Sequence, residues 1–352
     1  KYHRETGIEL IDVDLRLKPF DALYNLITGK SYHISRFNSP RFARRLTELL
    51  QAETFDIVQL ETIFMGPYLP LIRKFSNARI ILRAHNIEHL IWKRVAHESG
   101  LFLKKWYINQ LARTLEEYEE ALAGSVDGVI PITEHDAKYF SAVLRKQKQT
   151  HPNIAKVCAI PFGMSISTGD GTLVTPRPLS LFSLGSMNLI PNQEGIKWFL
   201  IKVWPEIHKR FPDLKYYLAG REMPEWMINL NMANVEVPGE IPDAKAFMAQ
   251  HTVMIVPLFS GSGIRIKIIE GMAAGKVIIS TAIGAEGIEY EHMKNIIIAD
   301  SPGDFIEMIT LLILHPENVI ELGQSARELI GVRYHPDELI SKVVAFYEQV
   351  LH

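Results

Sequence analysis

"VPLFSGSGIRIKIIEGMAAGKVIIST" spans residues 256–281 and reads as strand, small-residue loop, helix, glycine stop and second strand. Gly261, Ser262 and Gly263 leave backbone N–H groups uncovered where the helix begins. Orphan donors and the helix dipole both favour negative charge there. Arg265 and Lys267 fall in the first helical turns. Cations at that end oppose the dipole, at about a few tenths of a kcal/mol each. A phosphate group at the mouth of the loop reverses the sign of that cost. Glu270 on the same helix is a carboxylate able to accept hydrogen bonds from ribose hydroxyls, and Gly275 fits a C′ position. The same residues also fit an ordinary turn, with Arg265, Lys267 and Glu270 forming a solvated face.

Around this stretch, short apolar runs alternate with amphipathic segments along the whole chain. Runs at 56–63, 78–86, 127–133 and 155–163 are β-branched, bounded by turn or cap residues, and read as buried strands. Helical segments at 41–50 and 101–123 lie between them. A second series follows at 179–186, 214–220, 233–239, 252–258, 276–282 and 295–300. Strands alternating with helices argue parallel sheets with crossover helices. A helix from Gln193 to Phe211 carries Ile196, Phe199, Val203, Ile207 and Phe211 on one stripe, with Pro191 and Asn192 as start signals. The last segment, 336–351, has a cap-like start and an apolar stripe of Leu339, Val343, Phe346 and Val350. Between the two series, residues 163–178 are rich in Gly, Ser, Thr and Pro and lack periodicity, which marks a linker.

The expected organisation is an N-terminal Rossmann-like domain over 1–166, a linker over 167–178, a second Rossmann-like domain over 179–335, and a terminal helix over 336–352. Ligands of such doubly wound sheets sit at the carboxyl ends of the strands. The opening "KYHRETGIELIDVDL" reads as the second strand of an α/β domain, and suggests a further strand–loop–helix unit upstream.

Bulk properties exclude several classes. The 352 residues suit two domains, with 47% hydrophobic and 22% charged residues, as in globular proteins. A net charge of −2 argues against a general nucleic-acid binder. The single cysteine, Cys158, forbids an intramolecular disulfide and fits a reducing, cytoplasmic compartment. Neither a membrane-spanning run nor a signal peptide is evident in the sequence.

The 256–281 stretch resembles the donor-binding motif of glycosyltransferase family 4, the "group 1" transferases, in the branch reading G-S-G-x-R-x-K-x-x-E-x-M-A-x-G-K. Residues 184–207 resemble the opening strand–loop–helix of that family's donor domain. Residues 235–243 resemble its base-proximal loop, and 280–288 its later glycine loop. In the first half, "RAHNIEH" (83–89) resembles the family's strand-end histidine segment, and 132–140 its strand followed by helix. The resemblance implies a GT-B fold, with two Rossmann-like domains facing across a cleft. It implies transfer from a nucleotide-diphosphate sugar to a carbohydrate or lipid-linked acceptor, with retention of anomeric configuration, in surface polysaccharide or glycolipid synthesis. Donor contacts then fall to Gly185, Ser186, Gly239, Gly261, Ser262, Gly263, Arg265, Lys267 and Glu270. His85 contacts the sugar or its phosphate, and the terminal helix crosses back onto the N-terminal domain.

Two departures from the family pattern stand out. The first glutamate of its E-x7-E motif is replaced by Ser262, eight residues before Glu270. The usual Arg and Lys after the first donor-domain strand are absent, since Ser186, Met187 and Asn188 follow Gly185. Arg265 and Lys267 are the substitutes for diphosphate charge. Breaking a nucleotide–sugar bond leaves negative charge on the diphosphate, so preorganised N–H groups and cations are the chemistry required. Neither cofactor nor metal is implied. His85 also fits a core or capping histidine, since Asn86 is itself a good helix cap, and Glu286, in a glycine-flanked loop, fits either a sugar contact or a solvated glutamate. Residues 36–45 and 101–113 mix Arg and Lys with aromatics, which suits either peripheral membrane contact or a core-facing stripe with a solvated cationic face. A nucleotide-sugar epimerase or hydrolase of the same fold, and a non-catalytic nucleotide-sugar-binding module, are the competing readings.

Overall fold

The computed structural model describes residues 7–16, 19–98, 100–147, 155–163, 178–261 and 263–352. The chain divides into two compact units, Lys1–Pro161 with Ser341–His352, and Phe162–Ile340. The first holds a four-stranded parallel sheet in the order β1-β2-β3-β4: Ile57–Glu61, Arg79–Ala84, Gly128–Pro131 and Lys156–Val157. Its principal helices are α1 (Pro40–Ala52), α2 (Leu69–Phe75), α3 (Glu88–Glu98), α4 (Phe102–Ala123) and α5 (Glu134–Gln147). β2 and β3 are buried along almost their whole length, as the uninterrupted runs of apolar residues require of a sheet covered on both faces.

The second unit holds six parallel strands in the order β10-β9-β8-β5-β6-β7. They are β5 (Leu181–Ser186), β6 (Tyr216–Arg221), β7 (Val235–Gly239), β8 (Val253–Val256), β9 (Val277–Ser280) and β10 (Ile297–Ile298). Its principal helices are α6 (Ile190–Lys202), α7 (Trp204–Arg210), α8 (Ala244–Gln250), α9 (Ile266–Ala273), α10 (Pro302–Leu314) and α11 (Glu317–Arg333). Period-two alternation along the strands builds a core on each face. Leu181, Leu218, Val253, Ile255 and Ile279 pack with Phe199 of α6 and Phe305 of α10. Phe182, Ala219, Met254, Val256 and Ile278 pack with Ile268 and Met272 of α9 and Ile330 of α11. α6 and α9 therefore lie on opposite faces. The chain runs from β5 outward to β6 and β7, returns to β8 beside β5, and runs outward the other way. The switch in winding falls between β5 and β8, where α6 and α9 start on either side.

The final helix, α12 (Pro336–Leu351), packs its buried Phe346 and Val350 against Gly128 of β3. Tyr347 on the same helix donates a 2.7 Å hydrogen bond to Gln59 of β1.

Two expectations need correction. Residues 7–16 form no strand: Asp12 and Asp14 disfavour one, and Asp14 bonds Arg16 at 2.9 Å instead of leaving the segment to a ladder. The helix expected from Gln193 to Phe211 is two helices broken at Val203, because Pro205 has no N–H to give Ile201. It also starts earlier than expected, with Pro191 inside its first turn and Asn192 buried. The linker expected at 167–178 lies, through residue 177, outside the described residues.

Gly195 lets α6 approach the loop after β8. A Cβ at this position would stand 1.8 Å from the Pro257 carbonyl oxygen, a backbone atom with little freedom to move. Gly195→Ala is expected to lower stability by about 1–3 kcal/mol, the usual cost of overpacking. An unchanged midpoint in urea unfolding would contradict this reading of the contact.

Candidate active site

β5 and β8 pair only through Leu181–Val253 and Phe182–Met254. Beyond that register the strands part. The Ser183 hydroxyl, buried in the gap, donates to the Ile255 carbonyl at 2.6 Å and accepts from the Tyr216 hydroxyl at 2.8 Å. The ladder bond lost by parting is thus replaced by a side chain, and a crevice opens at the carboxyl ends of the two strands without an orphaned carbonyl.

Two helix starts face this opening. α6 begins after Leu189 and α9 after Arg265, and neither N-cap residue supplies a side-chain cap. In α6 the N–H groups of Ile190 and Asn192 have no intrahelical acceptor and Pro191 carries none, and in α9 those of Ile266 and Lys267 have none, while the Ile268 N–H donates to the Arg265 carbonyl at 2.8 Å. Gly261 and Gly263 have φ of +104° and +79°, which L side chains rarely adopt, so the loop between β8 and α9 depends on glycine at both positions. A Cβ on Gly261 would come within 3.0 Å of the Arg265 guanidinium and 3.9 Å of the Pro191 ring, which places this loop beside the start of α6. Arg265 donates to the Gly263 carbonyl at 2.6 Å and so is folded back over the loop. Gly275 closes α9 at φ +67°, as its C′ role requires.

Lys267 reaches across the crevice. Its Nζ donates to Asn192 Oδ1 at 2.8 Å, and Asn192 Nδ2 donates to the Ser186 carbonyl at 2.8 Å. One amide thereby ties the cation of α9 to the loop after β5. The Gly185 backbone lies against the same pair: a Cβ there would be 3.4 Å from Asn192 Nδ2 and 3.5 Å from Lys267 Nζ. Among the described residues, Lys267 makes no ion pair, and its hydrogen-bond acceptor is a neutral amide. Burial, with Arg265 adding like charge, pushes its ammonium down from 10.5 to about 8. A cation held in this way costs stability until an anion arrives.

The structure thus brings together Gly185, Ser186, Gly261, Gly263, Arg265 and Lys267, and adds Asn192. Sequence reasoning took Asn192 for a start signal, although a small amide just inside a helix start is equally a bridge. Ser262 lies outside the described residues. Glu270 is exposed one turn beyond Lys267 on α9. Gly239 ends β7, and a Cβ there would meet nothing within 4 Å. Glu286 is half-buried in the loop after β9, which Thr281 clamps to the Leu258 carbonyl and to the N–H of Gly284. Gly239 and Glu286 share the carboxyl end of the sheet but sit on other elements from the Lys267–Asn192 bridge, whereas Glu270 shares α9 with Lys267.

In the first unit, His85 follows β2 and its Nε2 lies 2.9 Å from Glu61 Oε2 at the end of β1. Asn86 does not cap α3. The buried Glu119 of α4 does so from outside, accepting the Glu88 N–H at 3.0 Å through one oxygen and pairing with His89 Nδ1 at 2.6 Å through the other. His89 is a core residue, and its pair with Glu119 anchors the segment that carries His85. Among the described residues, no group of His, Cys, Asp and Glu is arranged to hold a metal. Among them also, no helix is long and apolar enough to cross a membrane.

With this geometry in view, comparisons with known proteins are informative. Residues 178–315 match the family model "Glycosyl transferases group 1". That match lies within the second unit. Over 309 residues the chain is 24% identical to a Klebsiella pneumoniae protein described as "Uncharacterized 44.6 kDa protein in cps region", covering 85% of this chain and 76% of that one. The fold is GT-B, two Rossmann-like domains, as in TarM, with a TM-score of 0.61 at 17% identity. The match covers 86% of this chain but only 57% of the length of TarM. Anabaena Alr3699/HepE, solved in complex with UDP, superposes with a TM-score of 0.61 at 11% identity over 88% of this chain and 82% of its own.

The displaced Lys267 couples the site to pH in opposite senses for stability and for ligand. Its folded pKa lies below the unfolded 10.5, so the unfolded chain holds the extra proton between about pH 8 and 10.5, and unliganded stability should rise across that window. Anion affinity should be full below pH 8 and fall above it. Lys267→Met is expected to raise the melting temperature of the unliganded protein while weakening pyrophosphate binding. A lower melting temperature in this variant would contradict the view of Lys267 as a cation held at a cost.

Proposed function

We propose that the chain is a retaining glycosyltransferase that takes a sugar, of hexosyl or related type, from a nucleotide-diphosphate donor. The carrying observation is the crevice between β5 and β8, with two uncapped helix starts and the Lys267–Asn192–Ser186 bridge. The diphosphate sits against the N–H groups at the starts of α6 and α9, with Arg265 and Lys267 balancing the charge that grows as the glycosidic bond to phosphate breaks. Charge from these two side chains fills the role that a divalent cation would otherwise take, so the reaction needs neither metal nor cofactor. Glu270 holds ribose hydroxyls, Gly239 leaves the base room beside β7, and Ser262 and Glu286 belong to the sugar end. His85, steadied by Glu61, contacts the transferred sugar or its phosphate.

The acceptor is a carbohydrate or a lipid-linked saccharide, and the reaction serves surface polysaccharide or glycolipid synthesis in the cytoplasm. A relative from a cps region supports that setting. The UDP complex of Alr3699/HepE makes uridine diphosphate the first nucleotide to try.

Calorimetric titration with nucleoside diphosphates tests the assignment. Arg265→Ala and Lys267→Ala should each weaken binding by on the order of 1.5–3 kcal/mol, the worth of a charge-assisted contact. Unchanged affinity in both variants would remove the diphosphate from this crevice. Glu270→Gln should weaken ribose-containing ligands and leave pyrophosphate binding intact, whereas equal losses would reduce Glu270 to a helix-holding role. With a sugar nucleotide bound, slow hydrolysis that speeds up on adding acceptor marks a transferase, and a sugar epimerised without acceptor marks the alternative.

A further inference from the structure

Of the two basic-aromatic segments in the first unit, the fold absorbs one and leaves the other outside. In residues 36–45, Phe37 stacks on Phe64 with ring centroids 4.6 Å apart, and Phe42 packs on Tyr68 at 4.6 Å. Tyr68 donates to the Phe37 carbonyl at 2.6 Å, and Arg45 is held by Glu9 at 2.6 Å. The aromatics of that segment are packed and half-buried and Arg45 is paired, while Arg41 and Arg44 are exposed. The start of α4 differs. Leu101, Phe102, Leu103 and Trp106 are 71%, 81%, 78% and 54% exposed, and Lys104 and Lys105 between them are exposed as well. The helix meets the core only from Ile108 onward, through Leu111, Ala112 and Leu115. Its first turns therefore project past the body of the unit, with apolar side chains directed to more than one side.

A soluble surface tolerates single exposed apolar residues, but four within six positions at a projecting helix tip carry a large solvation cost. The chemistry selects the occupant. Leucine and phenylalanine suit an acyl boundary, tryptophan favours the headgroup level, and adjacent lysines lie where anionic headgroups would be. A protein groove would instead call for a stripe on one face. Lys104 and Lys105 add two positive charges to residues 100–106, which contain no acid.

We propose that Leu101–Trp106 is a membrane-docking tip that seats this unit on an anionic bilayer surface. The surface is read from exposure and charge alone; its use in presenting a lipid-linked acceptor rests on the glycosyl-transfer reading above. Vesicle binding is scored without activity, so failure of docking and failure of that reading are separable.

The test is co-sedimentation of the full chain with phosphatidylcholine vesicles, with and without phosphatidylglycerol. Binding is expected to the anionic vesicles and to fall with added salt. Phe102→Ser/Leu103→Ser should reduce partitioning at least about tenfold, given the apolar area withdrawn from the bilayer. Because these side chains touch no core, thermal melting should be unchanged. Lys104→Glu/Lys105→Glu, an independent variant that keeps the apolar tip, should weaken binding and abolish its salt dependence. Brominated lipids should quench tryptophan emission in the wild type and much less in Trp106→Phe. The proposal is overturned by absence of binding to either vesicle, by equal binding to neutral and anionic vesicles, by binding that both double variants leave intact, or by sedimentation velocity showing self-association lost in Phe102→Ser/Leu103→Ser.

Discussion

The parting of β5 from β8 after Phe182 governs the second unit, because it converts the seam of a closed parallel sheet into an opening lined by backbone donors. The split demands that α6 and α9 leave on opposite faces, which the strand order enforces. It demands a substitute for the missing ladder bond, which the Ser183 hydroxyl supplies to Ile255. It also demands that α6 come close to the loop after β8, which a side chain at position 195 would prevent. Each of these is a packing or hydrogen-bonding requirement, and together they point two uncapped helix starts at one place.

Electrostatics then separates a binding site from an accidental gap. Cations near helix starts normally oppose the dipole. Lys267 is placed there, partly buried, beside Arg265, with a neutral amide as its acceptor. Nothing in that arrangement favours the empty protein. It becomes favourable when two or more negative charges enter, and a diphosphate brings that charge. In the proposed reading, the positive charge for the donor comes from Arg265 and Lys267 at the start of α9 instead of from the loop after β5.

Much of this was legible in the sequence because it is local. Among the described residues, nine of the ten strands fall within the apolar runs named from the sequence and β6 overruns its own by one residue, to Arg221, since β-branched runs bounded by turn residues leave little choice of element. The glycine loop at 261–263 and the stop at Gly275 were likewise set by positive φ. What sequence did not give was tertiary. Asn192 read as a cap because its partners, Ser186 and Lys267, come from two other elements. Asn86 read as a cap because nothing nearby in sequence announces that Glu119, 33 positions later, takes that role. The early stretch read as a strand because alternation over a few residues does not report whether a ladder partner exists, and Asp12 and Asp14 decided otherwise. Trp106 and its neighbours could be core or surface until the fold showed where the core meets α4.

The central claim is that the starts of α6 and α9 together hold the diphosphate. Amide hydrogen exchange, read over 189–194 and 264–269 with and without uridine diphosphate, tests it most directly. Protection should appear at both helix starts, and inorganic pyrophosphate should reproduce it there without protecting the loop that ends β7. Protection at only one start, or protection confined to residues away from both, would contradict the account.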